Sequence, residues 1–261
     1  TCGECRILCK AWRRVMIWKY KEGRLCGMPA LLEALREYGS HSVISVVGAG
    51  GKTTFLHQLA EEYVHTGGKV IVTTTTHIIN EEKEYFLLEP SEEKIGKCLE
   101  QFRQVWAGTP SPQGKLTGLT DAVMCKILRW EIPILIEADG ARRMPIKVPA
   151  GHEPVIPEET THVLSVYGLD AVGKPLKEVC FRSELACMLL KKSDTDKVTA
   201  EDIALLASSE HGGRKRCPAG ARYTVVLNKA DNQARMEHAL AICKKLESAG
   251  ISDVAVTSFA G

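Results

Sequence analysis

The run Gly48-Ala49-Gly50-Gly51-Lys52-Thr53-Thr54 carries the clearest chemistry in the chain. Glycines at this density let backbone N–H groups turn inward around phosphate oxygens, and a helix opening at the lysine adds the partial positive charge of its first turn. In that arrangement Lys52 reaches the β- and γ-phosphates of a nucleoside triphosphate, and the Thr53 hydroxyl ligates Mg²⁺. Such loops usually carry a glycine six residues before the lysine; that position is Val46, so the loop is short at its front. Glu137-Ala138-Asp139-Gly140 follows the apolar run Ile134-Leu135-Ile136. Carboxylates are rarely buried without a partner, so both are candidates to hold Mg²⁺ directly or through water, Asp139 first because a glycine follows it. Thr73-Thr74-Thr75-Thr76-His77 sets four hydroxyls at the end of another apolar run, and Thr74 joins the candidate metal-binding residues. Arg142, Arg143 and Lys147, with His152 beyond, form a cation cluster suited to stabilising transition-state charge, Arg142 foremost, or to binding an anionic substrate. A soft-metal or selenium-handling site would draw on His77, His152 and Cys180.

Asn228-Lys229-Ala230-Asp231 resembles the guanine-recognition motif of GTPases. A carboxylate at Asp231 accepts from both N1–H and the 2-amino group of guanine; adenine offers neither donor there, and sites built on such bonds reject the analogue strongly. Lys229 then lays its stem along the base and Asn228 ties its loop to the phosphate loop. The plain alternative for Asp231 is the N-cap of the helix that follows. Thr257-Ser258-Phe259-Ala260 weakly resembles the last guanine-contacting loop. The short phosphate loop, in contrast, resembles that of the ATP-using Mur-type peptide ligases, and the Glu-x-x-Gly spacing at 137–140 resembles a switch of the metal-insertion GTPases.

The elements that position these residues follow from periodicity. Short β-branched runs at 42–47, 69–73, 133–137, 163–166, 223–227 and 254–257 predict strands, and amphipathic stretches at 53–65, 92–104, 120–130 and 232–248 predict helices. Ser91 is a plausible N-cap, and Thr199-Ala200-Glu201-Asp202 opens another helix in capping-box style. Residues 110–118 read as a polar loop, and 138–160 as a long, Pro-rich functional loop. Apolar strands alternating with helices predict a three-layer α/β domain with a mostly parallel sheet, resembling P-loop nucleoside triphosphatases, in which ligands bind beyond the carboxyl ends of the strands. That domain is expected over 28–261, with a mostly helical insertion at about 170–221. Residues 1–27 lack a clear period and precede Met28, a natural start, so a loose extension is expected there; within it Cys2, Cys5 and Cys9, with Cys26 beyond, are a conceivable metal cluster.

The chain has 261 residues, 44% hydrophobic and 25% charged, which excludes disorder, collagen and coiled coil. A net charge of +2 leaves no footprint for nucleic acid or an anionic membrane, and no apolar run approaches the ~18 residues of a membrane span. Ten scattered cysteines and no secretory pattern point to a reducing, cytoplasmic compartment.

Taken together the motifs resemble the selenium-dependent hydroxylase accessory protein family, the YqeC family. The likeness is carried by 46–54, 72–78, 137–142, His152-Glu153-Pro154-Val155-Ile156-Pro157, 168–176 and 227–231, and runs from about Met28 to the end of the chain. It departs at Cys180-Phe181-Arg182-Ser183-Glu184, where Phe181 and Ser183 replace the His and Pro of a His-Arg-Pro-Glu pattern. The resemblance implies a nucleotide-binding factor that assists maturation of a molybdenum hydroxylase needing labile selenium, with the hydroxylase or its cofactor-maturation proteins as partners. The expected activity is Mg²⁺-dependent hydrolysis of GTP, with ATP second. The alternatives are an ATP-dependent ligase or transferase, and a binding module gated by nucleotide with little turnover.

Overall fold

The computed structural model describes residues 15–259 apart from 38, 40 and 112–114. In chain order its strands are β1 (Met16–Lys21), β2 (Arg24–Met28), β3 (Val43–Gly48), β4 (Val70–Thr74), β5 (Ile78–Ile79), β6 (Phe86–Leu88), β7 (Gln104–Ser111), β8 (Lys115–Thr117), β9 (Ile134–Glu137), β10 (Ile146–Lys147), β11 (His162–Gly168), β12 (Cys180–Phe181), β13 (Arg222–Asn228) and β14 (Val254–Ser258). The helices are α1 (Leu31–Leu35), α2 (Lys52–His65), α3 (Glu92–Phe102), α4 (Asp121–Ile127), α5 (Leu176–Val179), α6 (Ser183–Leu190), α7 (Ala200–Ser208) and α8 (Gln233–Ser248).

The central strands are largely apolar because both faces of the sheet are covered. Ile44 and Val46 of β3 pack with Phe55, Leu56 and Leu59 of α2. Val43 and Val47, from the same strand, pack on the opposite face with Ile95, Leu99 and Ile127 of α3 and α4. Strand β13 divides the same way: Val226 lies on the α2 face, and Val225 and Leu227 lie with Leu206 of α7 and Ile242 of α8. This is a three-layer α/β arrangement. The sheet order is β2-β1-β14-β13-β11-β3-β9-β4-β7-β8-β5, with β6 beside β7. From β14 to β7 every pairing is parallel. Strand β3 sits between β11 and β9, and the chain leaves it through α2 to reach β4 on the far side of β9. Chain order therefore diverges to the two sides around β3, and a crevice opens at the carboxyl ends of the strands there.

Between β11 and β13 the chain forms α5, α6 and α7, joined by β12, which pairs with β10 in a small separate sheet. Ser91 caps α3 by accepting from the Lys94 N–H, and Thr199 and Asp202 complete a reciprocal capping box on α7.

Two expectations are corrected. Residues 15–27 are not a loose extension: β1 and β2 form a hairpin whose first strand pairs antiparallel with β14. The turn is Glu22-Gly23, with φ of 49° and 79°, the left-handed pair that suits a two-residue hairpin. Ile17 and Tyr20 are buried, the Lys19 ammonium pairs with Asp253, and the Tyr20 hydroxyl donates to Glu247 at 2.7 Å. Cys26 lies in β2, and Cys2, Cys5 and Cys9 lie outside the described residues. The expected polar loop at 110–118 is in part strand, since the ends of β7 and β8 pair antiparallel through Thr109, Pro110 and Ser111. No helix among the described residues is long and apolar enough to cross a membrane.

Candidate functional site

The glycine run connects β3 to α2, and its shape needs glycine. Gly48, Gly50 and Gly51 have φ of 90°, 87° and 118°. A Cβ on Gly48 would meet the Val166 carbonyl oxygen at 2.4 Å, one on Gly50 the Gly168 nitrogen at 2.3 Å, and one on Gly51 the Asn228 Nδ2 at 2.5 Å. Main-chain bonds hold the front of the loop: Ala49 N–H donates to Val166 at 2.9 Å and Gly50 N–H to Met144 at 3.0 Å. Helix α2 then starts from Gly51 with no side chain capping it, so its first-turn N–H groups are open to a ligand.

Lys52 is buried and folded back on its own loop. Its ammonium donates to the Gly48 carbonyl at 2.8 Å and lies 3.1 Å from Asp139 Oδ1 and 3.8 Å from Glu137 Oε1. Burial disfavours its charged form, but Asp139 and then Glu137 outweigh that, and its pKa lies above the ordinary lysine value. Glu137, also buried, goes the other way. Desolvation raises its pKa by more than Lys52 and the Thr53 hydroxyl lower it, and Asp139 adds repulsion.

The two candidate carboxylates have different surroundings. Glu137 accepts from the Thr53 hydroxyl at 3.1 Å and lines the cleft. Asp139 sits behind the loop, 2% exposed, accepting from Gly48 N–H at 3.0 Å and pairing with Lys147 at 3.0 Å. Thr74 is likewise committed, its hydroxyl donating to the Glu137 carbonyl at 2.8 Å and accepting from Thr76 N–H. Thr53 and Glu137 thus supply hard oxygen atoms of the kind and number that Mg²⁺ takes from protein when phosphates and water complete its shell. Among the described residues no group of three or more His, Cys, Asp or Glu side chains forms a metal site by itself.

Asn228, buried at the end of β13, joins the loop to its neighbours. Its Nδ2 donates to the Gly50 carbonyl at 2.8 Å, and its Oδ1 accepts from the Thr257 hydroxyl at 2.9 Å. Lys229 lines the cleft and pairs with Asp170 at 2.7 Å. Asp231 accepts from Ser258 at 2.6 Å and pairs with Arg235 at 2.8 Å. It does not cap α8: Asn232 does, accepting from Arg235 N–H at 3.0 Å. The reach of Asp170, just past the end of β11, was not foreseen, whereas Ser258, the last residue of β14, lies in the stretch that resembles the last guanine-contacting loop.

Gly50, Gly51, Lys52, Thr53, Thr54, Glu137 and Lys229 line a cleft of about 1050 Å³ at the carboxyl edge of the sheet, whereas Thr74, Asp139, Asn228 and Asp231 are not part of its lining. Its other wall is the segment after β9. Lys147 donates to Glu153 at 2.7 Å, and Arg182 binds Glu153 through both oxygens at 2.6 and 3.1 Å. Burial opposes ionisation of Glu153, but these two cations hold its pKa down at about 2. The Phe181 ring lies between Arg182 at 4.2 Å and Arg142 at 5.0 Å. His77 and His152 line the cleft, whereas Cys180 is buried and desolvation pushes its thiol up to about 12, a thiol rather than a thiolate.

Comparison with known proteins gives two matches. The family described as YqeC protein matches residues 44–184, the span from β3 through the phosphate-loop, carboxylate and Arg182 segments. A protein of Escherichia coli (strain K12) named "Uncharacterized protein YqeC" is 32% identical over 219 residues, covering 82% of this chain and 84% of that protein.

Proposed function

The chain belongs to the YqeC family, and on that premise we propose that it is a nucleotide-binding maturation factor: a Mg²⁺-dependent triphosphatase, preferring GTP to ATP, that assists the assembly of a selenium-dependent molybdenum hydroxylase. One observation carries the nucleotide part. A loop that only glycines can form leads into an uncapped helix N-terminus, with Thr53 beside Glu137 and a buried lysine at its base. The hydroxylase part is supported by the family resemblance alone.

In this reading the N–H groups of the first turn of α2 bind phosphate oxygens, and the Lys52 ammonium turns from its carboxylates toward them. Thr53 and Glu137 would hold Mg²⁺, which supplies charge neutralisation on the phosphates. Asp139 keeps the loop in place through Gly48 N–H and Lys147. Asp231 and Lys229 read the base, and Asn228 links that reading to the loop. Hydrolysis then rests on positioning and charge stabilisation, with no covalent intermediate required.

The test is calorimetric titration of the full chain with GTP, ATP and CTP, each with and without Mg²⁺. GTP is expected to bind most tightly, and more tightly with Mg²⁺. Failure of all three to bind would overturn the nucleotide reading.

A further inference from the structure

The cations that line the cleft or stand just behind it fall into two groups, with Lys115 of β8 a further exposed lining cation. Lys52, Lys147, Arg182 and Lys229 are each neutralised by a carboxylate at 3.1 Å or less. Arg142 and Arg143 are exposed, and among the described residues neither makes an ion pair or hydrogen bond; the Arg142 guanidinium lies 5.0 Å from the centre of the Phe181 ring. Both have left-handed backbones, φ 46° and 61°, which cost a non-glycine residue on the order of 1 kcal/mol each and persist only where the surroundings impose them.

Here the surroundings do impose them. Met144 N–H closes the turn on Ala141 at 2.9 Å, the Met144 carbonyl accepts from Gly50 N–H, and the next carbonyl, of Pro145, accepts from Gly168 N–H at 2.8 Å. Lys147 donates back to the Gly140 carbonyl at 2.6 Å. The turn bearing the two arginines is thereby bolted to the phosphate loop itself. Two unneutralised guanidiniums held on a fixed turn suit the planar, bidentate capture of an oxyanion.

We propose that Arg142 and Arg143, with Phe181 behind them, form a second anion subsite in this cleft, taking the oxyanion group, phosphate or carboxylate, of a small second substrate. That it is second rests on the nucleotide reading above; that it binds an oxyanion does not. The site makes the protein a two-substrate enzyme or a carrier, in which nucleotide on the loop faces an anionic partner across the cleft.

The experiment titrates inorganic phosphate, and in a separate arm malonate, into the wild-type full chain, Thr53→Ala, and the double variant Arg142→Gln/Arg143→Gln, with circular dichroism confirming each fold. Both substituted arginines are solvent-facing, so the double variant is expected to fold. The proposal expects at least a tenfold loss of affinity for one of the two anions in the double variant, whereas Thr53→Ala lowers only whatever phosphate binding belongs to the phosphate loop. The stronger-binding arm identifies phosphate or carboxylate as the group recognised. Affinities for both anions that stay within tenfold of wild type in the double variant, or no binding of either anion by wild type, overturn the subsite; weaker phosphate binding that remains is assigned to the phosphate loop. Nucleotide titrations on the same proteins separate the two claims. A wild type that binds no nucleotide but shows arginine-dependent anion binding defeats the nucleotide reading and leaves the subsite standing. Nucleotide affinity that falls in the double variant as far as anion affinity does would return the arginines to the nucleotide's own phosphates and overturn the proposal.

Discussion

Lys52 neutralises two buried carboxylates before any ligand arrives. Removing one partner of a buried ion pair leaves an uncompensated charge and costs about 3–5 kcal/mol. Lys52→Ala is therefore expected to lose both nucleotide binding and stability, read by calorimetry and by urea unfolding; a variant as stable as wild type would contradict the buried pairing. Asp231 can be tested more cleanly, since it is partly exposed. Asp231→Asn should weaken GTP binding ten- to a hundredfold, the equivalent of about 1.5–3 kcal/mol for a lost charge-assisted bond, and favour xanthine nucleotide, whose 2-oxygen accepts from the new amide. If wild type binds ATP and GTP equally, Asp231 serves only Arg235 and Ser258. At this scale the glycine loop was legible from residue type, and so was the tie from Asn228, because both motifs are set by spacing along the chain. The division of labour between Glu137 and Asp139 was not. Spacing puts both past Ile136, and only the packed structure shows that Gly48 N–H and Lys147 have already claimed Asp139 while Glu137 meets Thr53.

At the scale of elements, the loop and the end of β11 must approach without side chains between them. Gly50→Ala places a methyl group 2.3 Å from the Gly168 nitrogen and 2.7 Å from the Pro145 carbonyl, at a φ of 87°. Backbone on both sides cannot yield, so a loss of roughly 1–3 kcal/mol is expected, with nucleotide binding lost along with the loop's shape. A thermal melt and a GTP titration check the two effects; an unperturbed variant would mean the approach is looser than described. The central strands were readable because burial on both faces makes them largely apolar, and the long helices because their apolar residues recur on one buried face. Strand β1 was hidden by its own composition. Met16-Ile17-Trp18-Lys19-Tyr20-Lys21 carries two lysines, and the partner that buries one of them, Asp253, lies 234 residues away. The Glu22-Gly23 turn was the available local signal.

Across the whole molecule, alternating charges run from the phosphate loop to the far wall of the cleft: Asp139, Lys147, Glu153, Arg182. Glu153 makes this chain sensitive to acid. Its pKa is depressed from 4.5 to about 2, so its contribution to stability is complete above 4.5 and is lost as pH falls through that window toward 2. Glu153→Gln should flatten the decline of the melting temperature between pH 4.5 and 2, relative to wild type; an unchanged slope would place the acid sensitivity elsewhere. The hairpin of β1 and β2 has a different consequence. Strand β14, five residues buried in succession, would otherwise end the parallel array with bare amides and carbonyls, a template for any extended chain in solution. The hairpin replaces that template with a five-residue strand bearing Arg24 and open to water on Gly27. A chain trimmed to begin at Met28 would keep the phosphate loop and cleft but lose this shield, and light scattering at rising concentration should show it self-associating into aggregates where the longer chain stays dispersed.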